Sequence, residues 1–192
     1  MSPTSQPAHV ALLLDFANTV DVDAGTERLD SPAGLGAWLA ERGLASEGVR
    51  VTAADLESAR ELREALRGRM RTRHDGGSGD PSGLDAAARK YPLRMAVRDG
   101  APVVVPAAGG VPGALGSVVA AVLAAQGDGT LPRVKICAED TCQWAFVDAS
   151  KNRSRQWCSM SVCGNRAKTR TYRARRRDTP VTPASYARPA PG

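Results

Sequence analysis

The stretch WCSMSVCGNRAKTRTYRARRRD, residues 157–178, places two cysteines and seven basic residues within twenty-two positions. The only other cysteines of the chain lie shortly before it, at Cys137 and Cys142. Two Cys-x4-Cys pairs separated by fifteen residues allow two tight turns to face each other and present four thiolates. The spacing therefore predicts one structural zinc ion, bound by Cys137, Cys142, Cys158 and Cys163.

Two disulfides or a catalytic dithiol are the alternatives to this zinc site. Disulfides are disfavoured in a cytoplasmic chain because its surroundings keep thiols reduced. Catalytic zinc normally keeps one position open for water and often uses histidine, whereas His9 and His74 fall in expected loops. A bound zinc would also supplement the small core that a unit of about 45 residues can bury by itself.

Positive charge is concentrated in the same region. The chain carries a net charge of +6, but residues 133–177 alone hold twelve Lys/Arg against Glu139, Asp140 and Asp148, a balance of +9. The remainder of the chain therefore sums to −3. This asymmetry indicates a polyanionic partner, most often nucleic acid. A solvated basic tail is the plainer alternative.

A basic helix is predicted directly after Cys163. Its positions 166, 170, 173 and 177 share one face, and so many like charges repel one another unless an anion neutralises them. We therefore expect salt-sensitive contacts with phosphates. The predicted nucleic-acid-binding residues are Arg153, Arg155, Asn165, Arg166, Lys168, Arg170, Arg173, Arg175, Arg176 and Arg177.

Three aromatic residues lie between or beside the cysteine pairs. Trp144 and Phe146 alternate with small apolar residues, which predicts a short strand. We interpret Trp144, Phe146 and Trp157 mainly as the core of this unit, and stacking on unpaired bases is the functional alternative. Gly164 is expected to adopt backbone angles open to glycine that turn amide groups toward a thiolate.

Upstream of residue 133 the pattern is mainly helical. HVALLLDFANTV (9–20) fits a strand and a buried helix start equally well. SPAGLGAWLAERGL (31–44) predicts a helix with Ser31 as its N-cap. TAADLESARELREALRGRMRTR (52–73) predicts a longer helix whose arginines form a solvated face.

Two further segments complete this part of the chain. LRMAVRDGAPVVVP (93–106) predicts two short strands that turn at Asp99-Gly100. GALGSVVAAVLAAQ (113–126) is apolar nearly all round, which predicts a buried helix, and it is too short for a membrane span. The expected fold class is α+β: a mainly helical N-terminal domain with a short β-hairpin, then a small four-cysteine finger, zinc-ribbon-like or treble-clef-like, that ends in the basic helix.

The predicted organisation has four parts. Residues 1–8 form a flexible N-terminus, residues 9–130 the N-terminal domain, residues 133–178 the finger, and residues 179–192 a disordered Pro-rich tail. Residues 74–83 form a surface loop by composition. The N-terminus lacks the pattern of a secretory signal, so we expect a cytoplasmic protein with no membrane partner.

The segment from Cys137 to Arg177 resembles the CGNR zinc finger, which is named for the residues standing here at positions 163–166. The chain also matches recurring positions of that family at Phe146, Asp148, Ser150, Arg155, Trp157, Cys158 and Met160. Upstream, LLLDFANTVD (12–21) and SPAGLGAWLAERGL (31–44) resemble the ABATE domain, which usually precedes this finger. The resemblance implies a stress-induced transcription regulator that binds DNA.

The leading hypothesis is therefore a DNA-binding transcription regulator that acts at the nucleoid. Its finger and basic helix would contact double-stranded DNA, while the N-terminal domain would sense a small-molecule effector or form a homodimer. Asn18, Thr19, Arg28 and Trp38 are candidates to line an effector pocket. Alternatively, Asn18 and Thr19 simply cap a helix or complete a turn.

Two other function classes are weighed against it. An RNA-binding module would be favoured by exposure of Trp144 or Phe146 beside the basic residues. An enzyme is disfavoured because the chain has no Gly-rich phosphate loop, HExxH or GxSxG motif. Asp15, Asp21 and Asp23 have the residue type of a carboxylate metal site, but their spacing gives it no support. We therefore expect no enzymatic activity.

Overall fold

The computed structural model of the chain describes residues 6–71 and 82–178, with side chains through Arg173. Several sequence predictions fall beyond this range. Residues 1–5 of the predicted flexible N-terminus, residues 74–81 of the predicted loop and the whole predicted tail, 179–192, lie outside the described residues.

The described part of the chain contains six α-helices and three two-stranded antiparallel hairpins, together with a 3-10 turn at Leu131–Arg133 and a π-helical turn at Met160–Gly164. The helices are α1 (Ala8–Ala17), α2 (Pro32–Glu41), α3 (Ala53–Arg71), α4 (Ser82–Ala88), α5 (Gly110–Gly127) and α6 (Asn165–Asp178). The hairpins pair β1 (Val20–Asp21) with β2 (Thr26–Glu27), β3 (Leu93–Arg98) with β4 (Ala101–Pro106), and β5 (Val134–Ile136) with β6 (Ala145–Val147). The α+β class predicted from the sequence is confirmed.

Helix α1 resolves the ambiguity of residues 9–20. It buries Val10, Leu13, Phe16 and Ala17, a spacing that keeps these residues on one side of a helix. The Phe16 ring packs on Trp38 of α2, with ring centroids 5.3 Å apart. The segment is therefore a core helix rather than a strand, and His9 lies in this helix rather than in a loop.

Helix α2 begins as its sequence predicts. The Ser31 hydroxyl accepts a hydrogen bond from the Gly34 amide, and Pro32 occupies the first helical position. Gly43, with φ of +64°, follows the last turn in the left-handed conformation that commonly ends helices. Local residue chemistry is thus sufficient to set both ends of this helix.

Helix α3 forms as predicted, but two of its arginines are buried instead of exposed. Arg63 and Arg67 are 5 % and 1 % exposed, so the expectation that the arginines of this helix form a solvated face is wrong for both. Arg63 donates to the Thr19 hydroxyl at 3.1 Å and to Glu27 at 2.7 Å. These acceptors, presented by segments far away in the sequence, compensate the burial of the guanidinium.

The β3–β4 hairpin has the predicted turn. Its register runs from Leu93 opposite Pro106 to Arg98 opposite Ala101. Asp99 and Gly100 both have positive φ, 50° and 79°, as a tight two-residue hairpin turn requires.

Helix α5 is a core helix of the N-terminal domain. It spans 18 residues with a mean hydropathy of 1.4, which is long and apolar enough to cross a membrane, so the expectation that it is too short for a membrane span was wrong. Its burial supports the prediction of a buried helix: 44 % of those residues are buried, and Leu115, Val118 and Ala121 belong to the main hydrophobic core. The helix packs mainly on α1 and β4.

The β5–β6 hairpin joins the finger to the N-terminal domain. Val134, Ile136 and Ala145 belong to the same hydrophobic cluster as the helices α1, α2, α3 and α5. On β6 the next residue, Phe146, belongs instead to a second cluster around the cysteines, because neighbouring strand residues point to opposite faces. The finger therefore shares the main core in addition to the small cluster around its own cysteines.

Candidate metal centre and basic helix

The four cysteines meet at one point. Their Sγ atoms all lie within 4.8 Å of one another, and two of the separations are 3.6 Å (Cys142 to Cys158) and 3.7 Å (Cys158 to Cys163). A tetrahedral zinc ion with Zn–S bonds of about 2.3 Å requires Sγ atoms about 3.8 Å apart. Among residues 6–71 and 82–178, these four cysteines are the one cluster of His, Cys, Asp or Glu side chains whose ligand atoms lie close enough to hold a metal ion.

The surroundings of the thiols suit a structural site. Cys137, Cys142 and Cys163 are buried, and Cys158 is half-buried. Without a cation, burial raises the pKa of the Cys158 thiol, and the neighbouring thiol of Cys142 raises it further. A soft divalent cation such as zinc offsets this cost by binding four thiolates, which saturate a tetrahedral ion and leave no position for substrate.

The turn that carries the second cysteine pair leads into the basic helix. A single π-helical turn, Met160–Gly164, follows Cys158, and α6 starts at the next residue. The φ angle of Gly164 is not positive, so this residue does not have the glycine-specific backbone angles expected from the sequence. A Cβ at this position would instead lie 2.6 Å from Met160 Sδ, so glycine makes room for that side chain.

A buried ion pair organises the loop between the cysteine pairs. Lys135 Nζ donates to Asp148 at 2.7 Å, and the two residues are 4 % and 0 % exposed. Asp148 also accepts from Ser150 and from the Arg155 amide, while Lys135 donates to the carbonyls of Arg153 and Arg155. Burial alone raises the pKa of Asp148, but these hydrogen bonds outweigh it and hold the pKa well below its usual range.

Arg155, a predicted nucleic-acid contact, has internal partners. Its guanidinium lies over the Phe146 ring at 5.1 Å from the centroid and donates to the carbonyls of Trp157 and Cys158. This side chain therefore fixes the chain that enters the second cysteine pair. The neighbouring Arg153 side chain is exposed, and its backbone has a φ of 53°.

Two arginines of α6 are held by carboxylates of the same chain. Arg170 makes a bidentate ion pair with Glu139, at 2.7 and 3.0 Å, and Glu139 is fully buried. Hydrogen bonds from Arg170 lower the pKa of the Glu139 carboxyl. Arg166 contacts Asp23 at 3.0 Å, which links the finger to the β1–β2 hairpin. The mutual repulsion expected along this face is thus partly relieved by internal anions.

The structure describes the side chains of only some of the other predicted nucleic-acid contacts on α6. Lys168 and Arg173 are exposed, and the Asn165 side chain donates to the Ser161 carbonyl at 2.9 Å. Positions 175–177 lie on the helix, but the side chains of Arg175, Arg176 and Arg177 lie outside the described residues. Contact of any of these residues with nucleic acid stays a prediction.

The three aromatic rings divide into two groups. Phe146 and Trp157 pack against the cysteines, as the core interpretation predicts. Trp144 is 38 % exposed, so that interpretation does not describe it. Its carbonyl accepts a hydrogen bond from the Cys137 amide, so the backbone at this residue belongs to the first cysteine turn.

Three of the four candidate residues of the effector pocket have hydrogen-bond or ion-pair partners within the chain. Asn18 exchanges two hydrogen bonds with the backbone of Ala145, and Thr19 bonds the Phe16 carbonyl and Arg63. Trp38 is completely buried in the core, and Arg28 pairs with Glu41 at the surface. These contacts account for Asn18, Thr19 and Arg28 without a ligand, whereas Trp38 Nε1 is buried with no hydrogen-bond partner among the described residues. The pocket stays a prediction.

The three aspartates considered for a metal site serve separate contacts. Asp15 pairs with Arg42, Asp21 accepts a hydrogen bond from the Ala24 amide, and Asp23 pairs with Arg166. Sequence reasoning missed the role of Glu139, which it counted only in the charge balance, and the role of Asp148, which it otherwise noted only as a recurring position of the CGNR zinc finger. Their acidity within a strongly basic unit was the available signal, because a buried charge of either sign requires a nearby opposite charge.

The helical domain, the four-cysteine centre and the basic helix together define a zinc-finger protein. The family model of the CGNR zinc finger matches residues 133–176, and the ABATE model, described as "Putative stress-induced transcription regulator", matches residues 10–130. The chain therefore belongs to the ABATE family and carries a CGNR zinc finger, whose metal is one zinc ion. A comparison with curated proteins gives no match.

Proposed function

We propose that this protein is a transcription regulator that binds DNA through its zinc finger and helix α6. The observation that carries the proposal is a basic helix anchored directly to the metal centre, with Lys168 and Arg173 exposed. Beside it runs a groove of about 780 Å³, lined by Thr141, Asn165 and Thr169 among others. Arg173 also lines this groove, whereas Lys168 does not. An exposed cation beside amide and hydroxyl groups suits a phosphate backbone.

The proposal assigns zinc a positioning role. The ion would fix the turn at Met160–Gly164 and thereby the direction of α6, while the basic side chains would supply the affinity. The N-terminal domain would sense a signal or form a homodimer, and the protein would act in the cytoplasm at the nucleoid. We propose no catalytic activity, in keeping with two families of regulator and zinc-finger type.

The test measures the affinity of the zinc-loaded chain for a random DNA duplex across a salt series. The variant Lys168→Gln/Arg173→Gln/Arg176→Gln is expected to bind more weakly, with a log–log salt slope smaller by about 0.9 for each phosphate that the variant no longer neutralises. Arg170 is left unchanged, because its loss would also release the buried Glu139.

A matched control removes three exposed arginines from the N-terminal domain. Arg50→Gln/Arg94→Gln/Arg98→Gln changes the net charge equally, and all three side chains are exposed. This control should bind duplex like the wild-type chain, whereas chelation of zinc should abolish binding. Equal weakening in both triple variants, or binding that does not depend on salt, would contradict the proposal.

A second candidate function is an RNA-binding module. The 38 % exposure of Trp144 favours it, whereas the burial of Phe146 does not. Replacing the duplex by single-stranded RNA of the same length in the salt series separates the two functions. Tighter binding of the RNA would favour the second candidate.

A further inference from the structure

We infer that the side of α6 opposite its tethered arginines carries a binding slot for one unpaired nucleobase. The slot is lined by Trp157 and Tyr172 together with Ala167, Lys168 and Thr171. The inference rests on the proposed function, in that it assumes that nucleic acid reaches this helix.

The position of the slot follows from the helical repeat. At 100° per residue, positions 166, 170 and 173 point one way, whereas 167, 168, 171 and 172 centre on the opposite side. Arg166 and Arg170 are held by Asp23 and Glu139 on the first side. The slot side therefore faces away from the contacts that tie α6 to the rest of the chain.

The size and lining of the slot suit a single base. Its volume is about 330 Å³, and its two aromatic rings offer flat apolar surfaces. Tyr172 is 60 % exposed, so its ring is accessible to a ligand. Stacking on aromatic rings tolerates every base, because each base has a π-face. Lys168, also exposed, lies where it can contact the phosphate attached to a bound base.

One wall of the slot is fixed before any ligand arrives. Trp157 packs against the cysteine cluster, and its carbonyl accepts a hydrogen bond from Arg155 at 2.8 Å. Arg155 is itself anchored through its amide to the buried Asp148. A rigid wall lowers the entropy lost on binding, so the zinc centre would prepare this wall as well as orient the helix.

The test compares the wild-type chain with Tyr172→Ala and with the matched control Tyr172→Phe, all loaded with zinc. The probes are labelled (dT)12, (U)12, an abasic twelve-nucleotide strand and a random DNA duplex. Tyr172→Ala should bind (dT)12 and (U)12 about five- to 150-fold more weakly, and Tyr172→Phe should match the wild type because it keeps the ring. The ratio of (dT)12 to (U)12 affinity shows which strand the slot prefers.

The abasic strand and the duplex separate the slot from general phosphate binding. The wild-type chain should bind the abasic strand weakly, with an affinity close to that of Tyr172→Ala for (dT)12. The affinity for the duplex should be the same in the wild type and in Tyr172→Ala. Equal weakening toward all four probes, or no weakening, would overturn the slot while leaving the proposed function standing. If the wild-type chain bound none of the probes at low salt, both the slot and the proposed function would be wrong.

Discussion

Asp148 is a fully buried carboxylate that accepts hydrogen bonds from Lys135, Ser150 and the Arg155 amide. Removing one member of a buried ion pair leaves the other charge without compensation. The variant Asp148→Asn is therefore expected to lower the free energy of unfolding of the zinc-loaded chain by about 3–5 kcal/mol. Urea unfolding, followed by circular dichroism, measures this change.

Asp140→Asn is the control for that variant, since Asp140 is an exposed acidic residue of the same finger. Its free energy of unfolding should stay within about 0.5 kcal/mol of the wild type. If Asp148→Asn lowered the free energy of unfolding by less than about 1 kcal/mol, the pair between Lys135 and Asp148 would not stabilise the loop.

The stability difference between the wild type and Asp148→Asn should depend on pH in a definite direction. The folded-state pKa of Asp148 lies below its ordinary value, so its stabilising contribution is fully present above about pH 5 and is lost as the pH falls through the ordinary value of about 4 and below. The difference in unfolding free energy between wild type and Asp148→Asn should thus be constant from about pH 7 to about 5 and shrink below that. Zinc content is measured at each pH, because Arg155 connects Asp148 to the second cysteine pair and release of zinc in acid therefore differs between the two proteins.

At the scale of a single element, α6 depends on its tertiary contacts. A helix of fourteen residues is marginally stable by itself in water, and the charge-assisted pair between Arg170 and buried Glu139 holds it to the first cysteine turn. Glu139→Gln weakens this pair, so amide hydrogen exchange within α6 should accelerate about tenfold or more. Exchange followed by mass spectrometry on the zinc-loaded chain gives this rate.

Asp23→Asn is the matched variant for the second tether of α6. Asp23 and Arg166 are 47 % and 43 % exposed in their side chains, and exposed pairs contribute about 0–1 kcal/mol. The exchange rate in α6 should therefore change much less than in Glu139→Gln. Equal acceleration of exchange in the two variants would show that the buried pair of Arg170 and Glu139 stabilises α6 no more than the exposed pair of Arg166 and Asp23.

At the scale of the whole molecule, the finger and the N-terminal domain form one structure. Arg67 of α3 is 1 % exposed and donates to the carbonyls of Ala17 and Gln143, and Gln143 directly follows a zinc ligand. Outer partners of metal ligands typically contribute about 10- to 100-fold to metal affinity. Arg67→Met should therefore weaken zinc binding by about that factor, measured by competition with a chromophoric chelator.

Arg71→Gln is the control for Arg67, since Arg71 is more exposed and donates to the side chain of Gln143 rather than to its backbone. Its zinc affinity should stay close to that of the wild type. If Arg67→Met lowered the free energy of unfolding but left zinc affinity unchanged, the two parts of the chain would be energetically independent.

Patterns that are local in the chain were predictable from the sequence. The α2 cap at Ser31 and the turn at Asp99-Gly100 follow from a few adjacent residues, because capping and turn formation depend on local backbone chemistry. The strand around Phe146 was also predicted, but its alternation could not show that Ala145 faces the main core and Phe146 the cysteines. That distinction depends on which partner covers each face.

The sequence by itself determined the four zinc ligands, the basic helix that follows them and the α+β class, since these follow from residue type and spacing along the chain. Only the tertiary structure decided which charged side chains are internal. Arg67 reaches the carbonyl of Gln143, and Arg166 reaches Asp23, across 76 and 143 positions of sequence. A guanidinium is buried or tethered only where folding brings acceptors from distant segments to it, and no local pattern contains that information.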